Sequence, residues 1–242
     1  MKKYGLIGYP LSHSFSPEYF TEKFRKLGIN ADYQAYPLTD IKQFPSFIEK
    51  HQFAGLNVTI PYKEVILPFL DIVSDEASAI GAVNTLHFSH GCIMGYNTDV
   101  IGFEQSLLQW IYDFSLITGA LILGTGGASK AVAYVLSKLK IPFQFVSRTK
   151  SAYLHYDTLS TQELKRHNLI INTTPLGMSP DLQNKPKIPY EWLNEKYFLY
   201  DLVYNPEKTL FLTEGLKKGC RIKNGFDMLV LQAEAAWNIW NQ

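Results

Sequence analysis

The chain has 242 residues, enough for one or two domains, and its 46% hydrophobic and 14% aromatic content can build sizeable cores. A formal charge of +1 provides no field that would advertise nucleic acid or a membrane surface. The two cysteines, Cys92 and Cys220, are far apart without metal or redox spacing, as a reduced cytoplasm leaves them, and no apolar run reaches the ~20 residues needed to cross a bilayer.

The N-terminus is basic and then apolar, like the start of a signal peptide. Its apolar part stops at Pro10 with no small-residue cleavage site after it, so residues 4–8 read as a first strand of a soluble intracellular protein. A helix is predicted from Ser16-Pro17, with Ser as N-cap and Pro at the first helical position, to Leu27, where Gly28 supplies a stop. Residues 31–36 form the next strand, 41–50 the next helix and 55–58 another short strand, an alternation that argues for parallel strands with crossover helices. Two β-like runs, 82–88 and 92–96, flank Ser89-His90-Gly91 as a hairpin, and a helix follows from Asp99 to Trp110.

A second α/β series then opens, with a strand at 119–123, a helix at 127–139 and a strand at 142–146. Further strands are predicted at 169–172, 198–202 and 221–223, with a helix at 209–218. Residues 179–189 hold three prolines and read as a loop, and 228–240 carries apolar residues at helical spacing that need a surface to cover. The pattern is two α/β units, the second inserted before a terminal helix that returns to the first.

Gly124-Thr125-Gly126-Gly127-Ala128 follows an apolar strand and opens a helix, the context in which glycines let the backbone approach a pyrophosphate. Ser129 stands where a third glycine is usual, and Ala131 keeps that helix face small. The setting favours nucleotide binding over a merely structural turn. At the end of the second strand, Ser147-Arg148-Thr149-Lys150 has two cations and none of the carboxylate that would hold a ribose 2′-hydroxyl. A guanidinium and hydroxyls suit a 2′-phosphate, which points to NADP over an ordinary solvated basic turn.

Four polar motifs sit where the chain leaves a strand or enters a helix: Ser12-His13-Ser14-Phe15-Ser16-Pro17, Asn57-Val58-Thr59-Ile60-Pro61-Tyr62-Lys63, Gly81-Ala82-Val83-Asn84-Thr85 and Tyr96-Asn97-Thr98-Asp99. Taken singly each has an ordinary structural reading as a cap, a turn or a solvated charge. Together, and with Asn172–Met178, the D-x-x-Y-x-P run at Asp201–Pro206 and the N-G-x-x-M-L-x-x-Q run at Asn224–Gln232, they resemble the shikimate dehydrogenase family from end to end and in order.

That resemblance implies an α/β, two-domain fold. An N-terminal α/β substrate domain, residues 1–100 with 227–242, is joined to a Rossmann-like NADP-binding domain, 101–226, and the C-terminal helix returns to the first domain. It implies NADPH-dependent, reversible reduction of 3-dehydroshikimate to shikimate, on the route to chorismate and aromatic amino acids. Lys63 and Asp99 map to the catalytic pair. Ser14, Ser16, Asn57, Thr59, Asn84, Tyr204 and Gln232 map to substrate-binding positions. Gly124, Gly126, Gly127, Ala128, Ser147, Arg148, Thr149, Thr173, Gly225 and Met228 map to the cofactor. It further implies a cytoplasmic enzyme of small molecules, a monomer or homodimer, with neither nucleic acid nor membrane as partner and no metal.

Three departures stand out. Ser147 replaces a common Asn, the arginine that often follows is missing with Lys150 a partial substitute, and Asp227 stands where glycine is frequent. Lys63 can stabilise the alkoxide that forms as hydride reaches the carbonyl and can donate its proton, while Asp99 balances the charge. Competing readings are a relative that also oxidises quinate, a dehydrogenase of another small acid, and a catalytically silent nucleotide sensor. Arg148 and Lys150 speak against NAD, the paired serines with Gln232 against another acid, and the retained Lys63 and Asp99 against a silent sensor.

Overall fold

The computed structural model describes residues 1–11, 14–149 and 153–242. Two compact units divide the chain, Met1–Thr98 with Ala233–Gln242, and Asp99–Gln232. The division differs from the expected one at both boundaries. Residues 99–100 and 227–232, Gln232 among them, fall with the second unit. The cause is the last helix, α8 (Phe226–Trp240), which runs unbroken through the boundary, so no loop marks the return.

In the first unit, β1 (Lys2–Gly8), β2 (Ala31–Pro37) and β3 (Gly55–Val58) are parallel neighbours, linked by α1 (Phe15–Leu27) and by α2 (Phe44–Glu49). After β4 (Ile72–Val73) and α3 (Asp75–Ile80), the strands β5 (Thr85–Ser89) and β6 (Cys92–Tyr96) complete a six-stranded sheet in the order β2-β1-β3-β5-β6-β4. The expected hairpin is β5–β6: Ser89 pairs with Cys92, and His90 (φ 51°) and Gly91 (φ 78°) both take the left-handed conformation that a two-residue turn demands.

Three local expectations need correction. The N-cap of α1 is Ser14 rather than Ser16, so Ser16 and Pro17 lie inside the first turn, where a missing N–H costs nothing. Residues 41–50 are not one helix: a 3₁₀ turn at Ile41–Gln43 precedes α2, because Pro45 has no N–H to give to the carbonyl four residues back. Residues 82–84 precede β5 as a loop, with the Val83 N–H given to the Lys63 carbonyl at 2.7 Å.

The core of this unit is strongly aromatic. Tyr4, Phe20, Phe24, Tyr33 and Trp240 cluster between β1, β2, α1 and the end of α8. Trp240 lies so close to Gly55 that a Cβ there would come within 2.2 Å of its Nε1, and that N–H donates to the Leu86 carbonyl at 2.9 Å. Glycine in β3 is therefore a packing requirement, and the terminal helix returns to the first sheet as predicted.

The second unit starts with α4 (Thr98–Trp110), whose first residue belongs to the first unit. It continues with β7 (Ala120–Leu123), α5 (Gly127–Lys138), β8 (Phe143–Ser147), β9 (Leu154–His155), α6 (Thr161–Arg166), β10 (Leu169–Asn172), β11 (Phe198–Asp201), α7 (Leu210–Lys217) and β12 (Arg221–Lys223). All six strands are parallel, in the order β12-β11-β10-β7-β8-β9. Every residue of the three adjacent strands β7, β10 and β11 is buried, as expected of strands covered on both faces. Counted within the unit, the order is 6-5-4-1-2-3, the doubly wound arrangement, with its reversal between β7 and β10. Among the described residues, no helix is long and apolar enough to cross a membrane.

Candidate functional site

In a doubly wound sheet the ligand crevice opens beyond the carboxyl ends of the strands at the reversal, here Leu123 of β7 and Asn172 of β10. The glycine-rich turn begins at that point. Gly124 has φ +109°, and a Cβ on it would come within 2.8 Å of Thr173 Oγ1 and 3.0 Å of Thr174 Cγ2. Thr173 is fixed there through its N–H and hydroxyl, both given to the Leu123 carbonyl at 3.0 and 2.8 Å. Gly126 caps α5 with extended backbone, and a Cβ on it would meet nothing within 4 Å. Gly127 and Ala128 follow in the first turn of α5. Ser129, at the place of the usual third glycine, turns its hydroxyl back to the Gly126 carbonyl at 2.6 Å and is buried. These residues fit a pyrophosphate held by backbone amides at a helix N-terminus.

At the end of β8, the buried Ser147 hydroxyl accepts the Thr149 N–H at 3.2 Å and bonds the Thr149 hydroxyl at 2.9 Å, which closes a tight turn with Arg148 exposed at its tip. His155 Nε2 bonds the Arg148 carbonyl at 3.0 Å, while its Nδ1 accepts the Asp157 N–H at 3.2 Å, so the Nε2–H tautomer is required. Lys150 lies outside the described residues.

The carboxyl ends of the remaining strands carry a second polar knot. Asn172 donates to Asp201 Oδ1 at 2.9 Å and accepts from the Thr174 N–H and hydroxyl at 3.1 and 2.6 Å. Asp201 also accepts from the Val203 N–H at 3.0 Å and the Thr209 hydroxyl at 2.6 Å. Burial pushes the Asp201 carboxyl up to about 6, against the pull of these three donors. Tyr204, half-buried beside this knot in sequence, has its phenol raised by burial.

Gly225 admits no side chain, because a Cβ would lie 2.1 Å from the Leu202 carbonyl oxygen. It leads into α8, where Met228 is buried, Gln232 gives Nε2–H to the Leu229 carbonyl at 2.9 Å, and both flank Gly102 of α4. Asp227, the departure from glycine, is ion-paired with Lys223. Asp99 is buried in the first turn of α4.

In the first unit the polar residues gather behind the carboxyl ends of β1 and β3 and the start of β5. Ser14 sends its hydroxyl to the Leu11 carbonyl at 3.4 Å and makes no capping bond. Ser12 and His13 of the same motif lie outside the described residues. Ser16 stands beside the buried Tyr33 phenol, whose titration burial drives far upward and the serine opposes only in part. Tyr33 donates to Asn57 Oδ1 at 2.7 Å. Asn57 Nδ2 gives one hydrogen to the Asn84 carbonyl and one to Thr85 Oγ1, each at 3.2 Å. Thr59 continues the strand by giving its N–H to the Ile7 carbonyl at 2.9 Å. Lys63, half-buried, follows in the turn closed by Tyr62 N–H to the Thr59 carbonyl at 2.9 Å. Asn97 pins the loop ahead of β5 by donating to the Ala82 carbonyl at 2.9 Å.

The structure therefore brings Ser16, Asn57 and Asn84 into one hydrogen-bonded neighbourhood, and Gly124, Gly126, Gly127, Ala128 and Thr173 into one crevice. Tyr33, Thr85 and Thr98 carry no such signal in the sequence. Thr85 and Thr98 stand inside the motifs G-A-V-N-T and N-T-D, but only the fold shows their hydroxyls turned inward.

Comparison with known proteins agrees with this geometry. Residues 6–86 match the model of the shikimate dehydrogenase substrate binding domain. A shikimate dehydrogenase (NADP(+)) of Methanococcus maripaludis is 38% identical, with 99% of this chain and 91% of the relative covered. The crystal structure of shikimate dehydrogenase from Aquifex aeolicus superposes with a TM-score of 0.87 at 34% identity, covering 99% of this chain and 92% of that one. That of Thermus thermophilus shikimate 5-dehydrogenase, in complex with NADP(H) and shikimate, gives 0.86 at 32% identity, covering 99% and 93%. With that identity sustained over nearly its whole length, the chain belongs to the shikimate dehydrogenase family.

Proposed function

We propose that this chain catalyses the reversible, NADPH-dependent reduction of 3-dehydroshikimate to shikimate, a step toward chorismate and the aromatic amino acids. The observation that carries the reading is the doubly wound strand order with Gly124–Ala128 at its reversal, in a chain that aligns over 99% of its length with shikimate dehydrogenases (NADP(+)). The enzyme works on small molecules as a cytoplasmic monomer or homodimer.

Ser14 and Ser16 receive the substrate carboxylate, while Thr59, Asn84, Tyr204 and Gln232 hold its ring oxygens. Backbone amides at Gly126, Gly127 and Ala128 receive the pyrophosphate. Arg148, with the hydroxyls of Ser147 and Thr149, receives the 2′-phosphate. Thr173, Gly225 and Met228 border the nicotinamide. NADPH, when bound, supplies the hydride. As negative charge grows on the substrate oxygen, the Lys63 ammonium stabilises it and gives it a proton, and Asp99 keeps the pair electrically balanced.

The test is absorbance at the reduced-nicotinamide band, with shikimate or quinate offered against NADP or NAD. Turnover with shikimate and NADP alone is the expected result. Equal turnover with quinate or NAD would move the chain to a broader specificity, and no turnover with any pair would overturn the reading.

A further inference from the structure

Asn84 can offer a ligand either of two opposite groups, an acceptor or a donor, depending on how its carboxamide is turned. Here the choice is made from behind. Asn84 Oδ1 accepts the Thr98 N–H at 2.7 Å, the Thr98 hydroxyl at 3.1 Å and the Thr85 hydroxyl at 3.1 Å. A backbone N–H can only donate, so the atom facing it must be the oxygen, and the assignment is not free to flip. The two threonine hydroxyls are themselves 3.2 Å apart. Thr85 and Thr98 are completely buried.

Thr85 is the hub of this arrangement. Its oxygen accepts from Asn57 while its hydrogen goes to Asn84, and Asn57 cannot turn either, since its Nδ2 faces the acceptor-only carbonyl of Asn84. Tyr33 completes the chain by donating to Asn57 Oδ1. Both hydrogens of Asn57 are thus used inside the protein.

We propose that Thr85 is a positioning residue for substrate recognition, holding the Asn84 carboxamide so that Nδ2–H rather than Oδ1 meets an accepting oxygen of the substrate, with Asn57 acting behind it rather than on the substrate. The inference rests on the reading of Asn84 as a substrate-binding residue. A valine at position 85 keeps the shape and removes the hydroxyl, whereas a serine keeps the hydroxyl.

Steady-state kinetics of Thr85→Val, Thr85→Ser and Asn84→Ala, with shikimate and NADP varied separately, test it. Thr85→Val is expected to raise KM for shikimate about tenfold with KM for NADP unchanged, and Thr85→Ser to recover most of that loss. If Asn84→Ala raises KM for shikimate while Thr85→Val leaves it within about twofold, the positioning role is overturned. A Thr85→Val that weakens shikimate and NADP alike, unrelieved by Thr85→Ser, would overturn it as a global packing defect. If Asn84→Ala itself leaves KM for shikimate unchanged, the substrate role of Asn84 fails and takes the inference with it. Should Thr85→Val not fold, Thr98→Val removes the other hydroxyl on the same oxygen, and the same rise or absence of a rise in KM decides.

Discussion

The two units prepare their ligand groups by opposite means. In the first, the groups proposed for recognition are side chains, and Asn84, in the loop ahead of β5, is oriented by Thr85 and Thr98 buried behind it. In the second, the proposed recognition falls to the backbone itself, prepared by the absence of side chains: Gly124 faces Thr173, and Gly126 faces open space. In the proposed reading the first design tells one arrangement of hydroxyls from another, because a wrong group leaves a buried donor or acceptor unmet. The second suits any pyrophosphate and, in the proposed reading, leaves discrimination to the tip residue Arg148.

The largest effect should come from the ammonium proposed as catalytic. Lys63→Ala is expected to lower kcat by about a thousandfold with a much smaller change in KM for shikimate. A change confined to KM would make Lys63 a binding group like its neighbours. Next, Gly124→Val combines a left-handed backbone with a blocked approach at Thr173, so NADP affinity should fall by at least about a hundredfold. Shikimate binding, followed by calorimetry, should survive. Loss of both together would show that the units do not prepare their sites independently.

Asp201 offers a pH-dependent test within the second unit. Its carboxyl is raised to about 6 from 3.8, so between those values the folded state holds more proton than the unfolded one, and stability falls as pH rises through the window. The cost at neutral pH is about 3 kcal/mol, from roughly 1.4 kcal/mol per pH unit. Asp201→Asn should therefore gain stability relative to the parent between pH 4 and pH 7, read as the difference of thermal midpoints at the two values. A constant difference would show that the three donors hold the carboxylate charged throughout. The smallest effect is expected at the surface: Arg148→Asp should swing the NADP-to-NAD preference toward NAD by roughly tenfold to a hundredfold. An unchanged ratio would place phosphate recognition elsewhere.

The same contrast governs what the sequence discloses. The second unit is written in signals that act locally: an apolar strand, glycines and a helix start sit together at 120–138, and β10, β12 and the turn at Gly124 lie where they are predicted. The first unit depends on residues remote in the chain. Nothing near Thr85 shows that Asn57 will reach it across 28 positions, or that Tyr33 stands behind both. Short elements were missed for a different reason. α3 has Ser74 as cap, two acids in its first turn and Gly81 at φ 69°, all legible signals, but at six residues it is too short to show a helical period. The boundary near 232 could not be read at all, because α8 continues through it with regular helical spacing.

That continuous helix also sets an order of events during synthesis. The strands of the first sheet leave the ribosome before the whole of the second unit, yet Tyr4 and Gly55 receive Trp240 only from the stretch 233–242. Until then the nascent sheet carries an uncovered aromatic face. The unit translated first is therefore the one completed last, and in the interval its exposed aromatic residues are the part of the chain most in need of a chaperone.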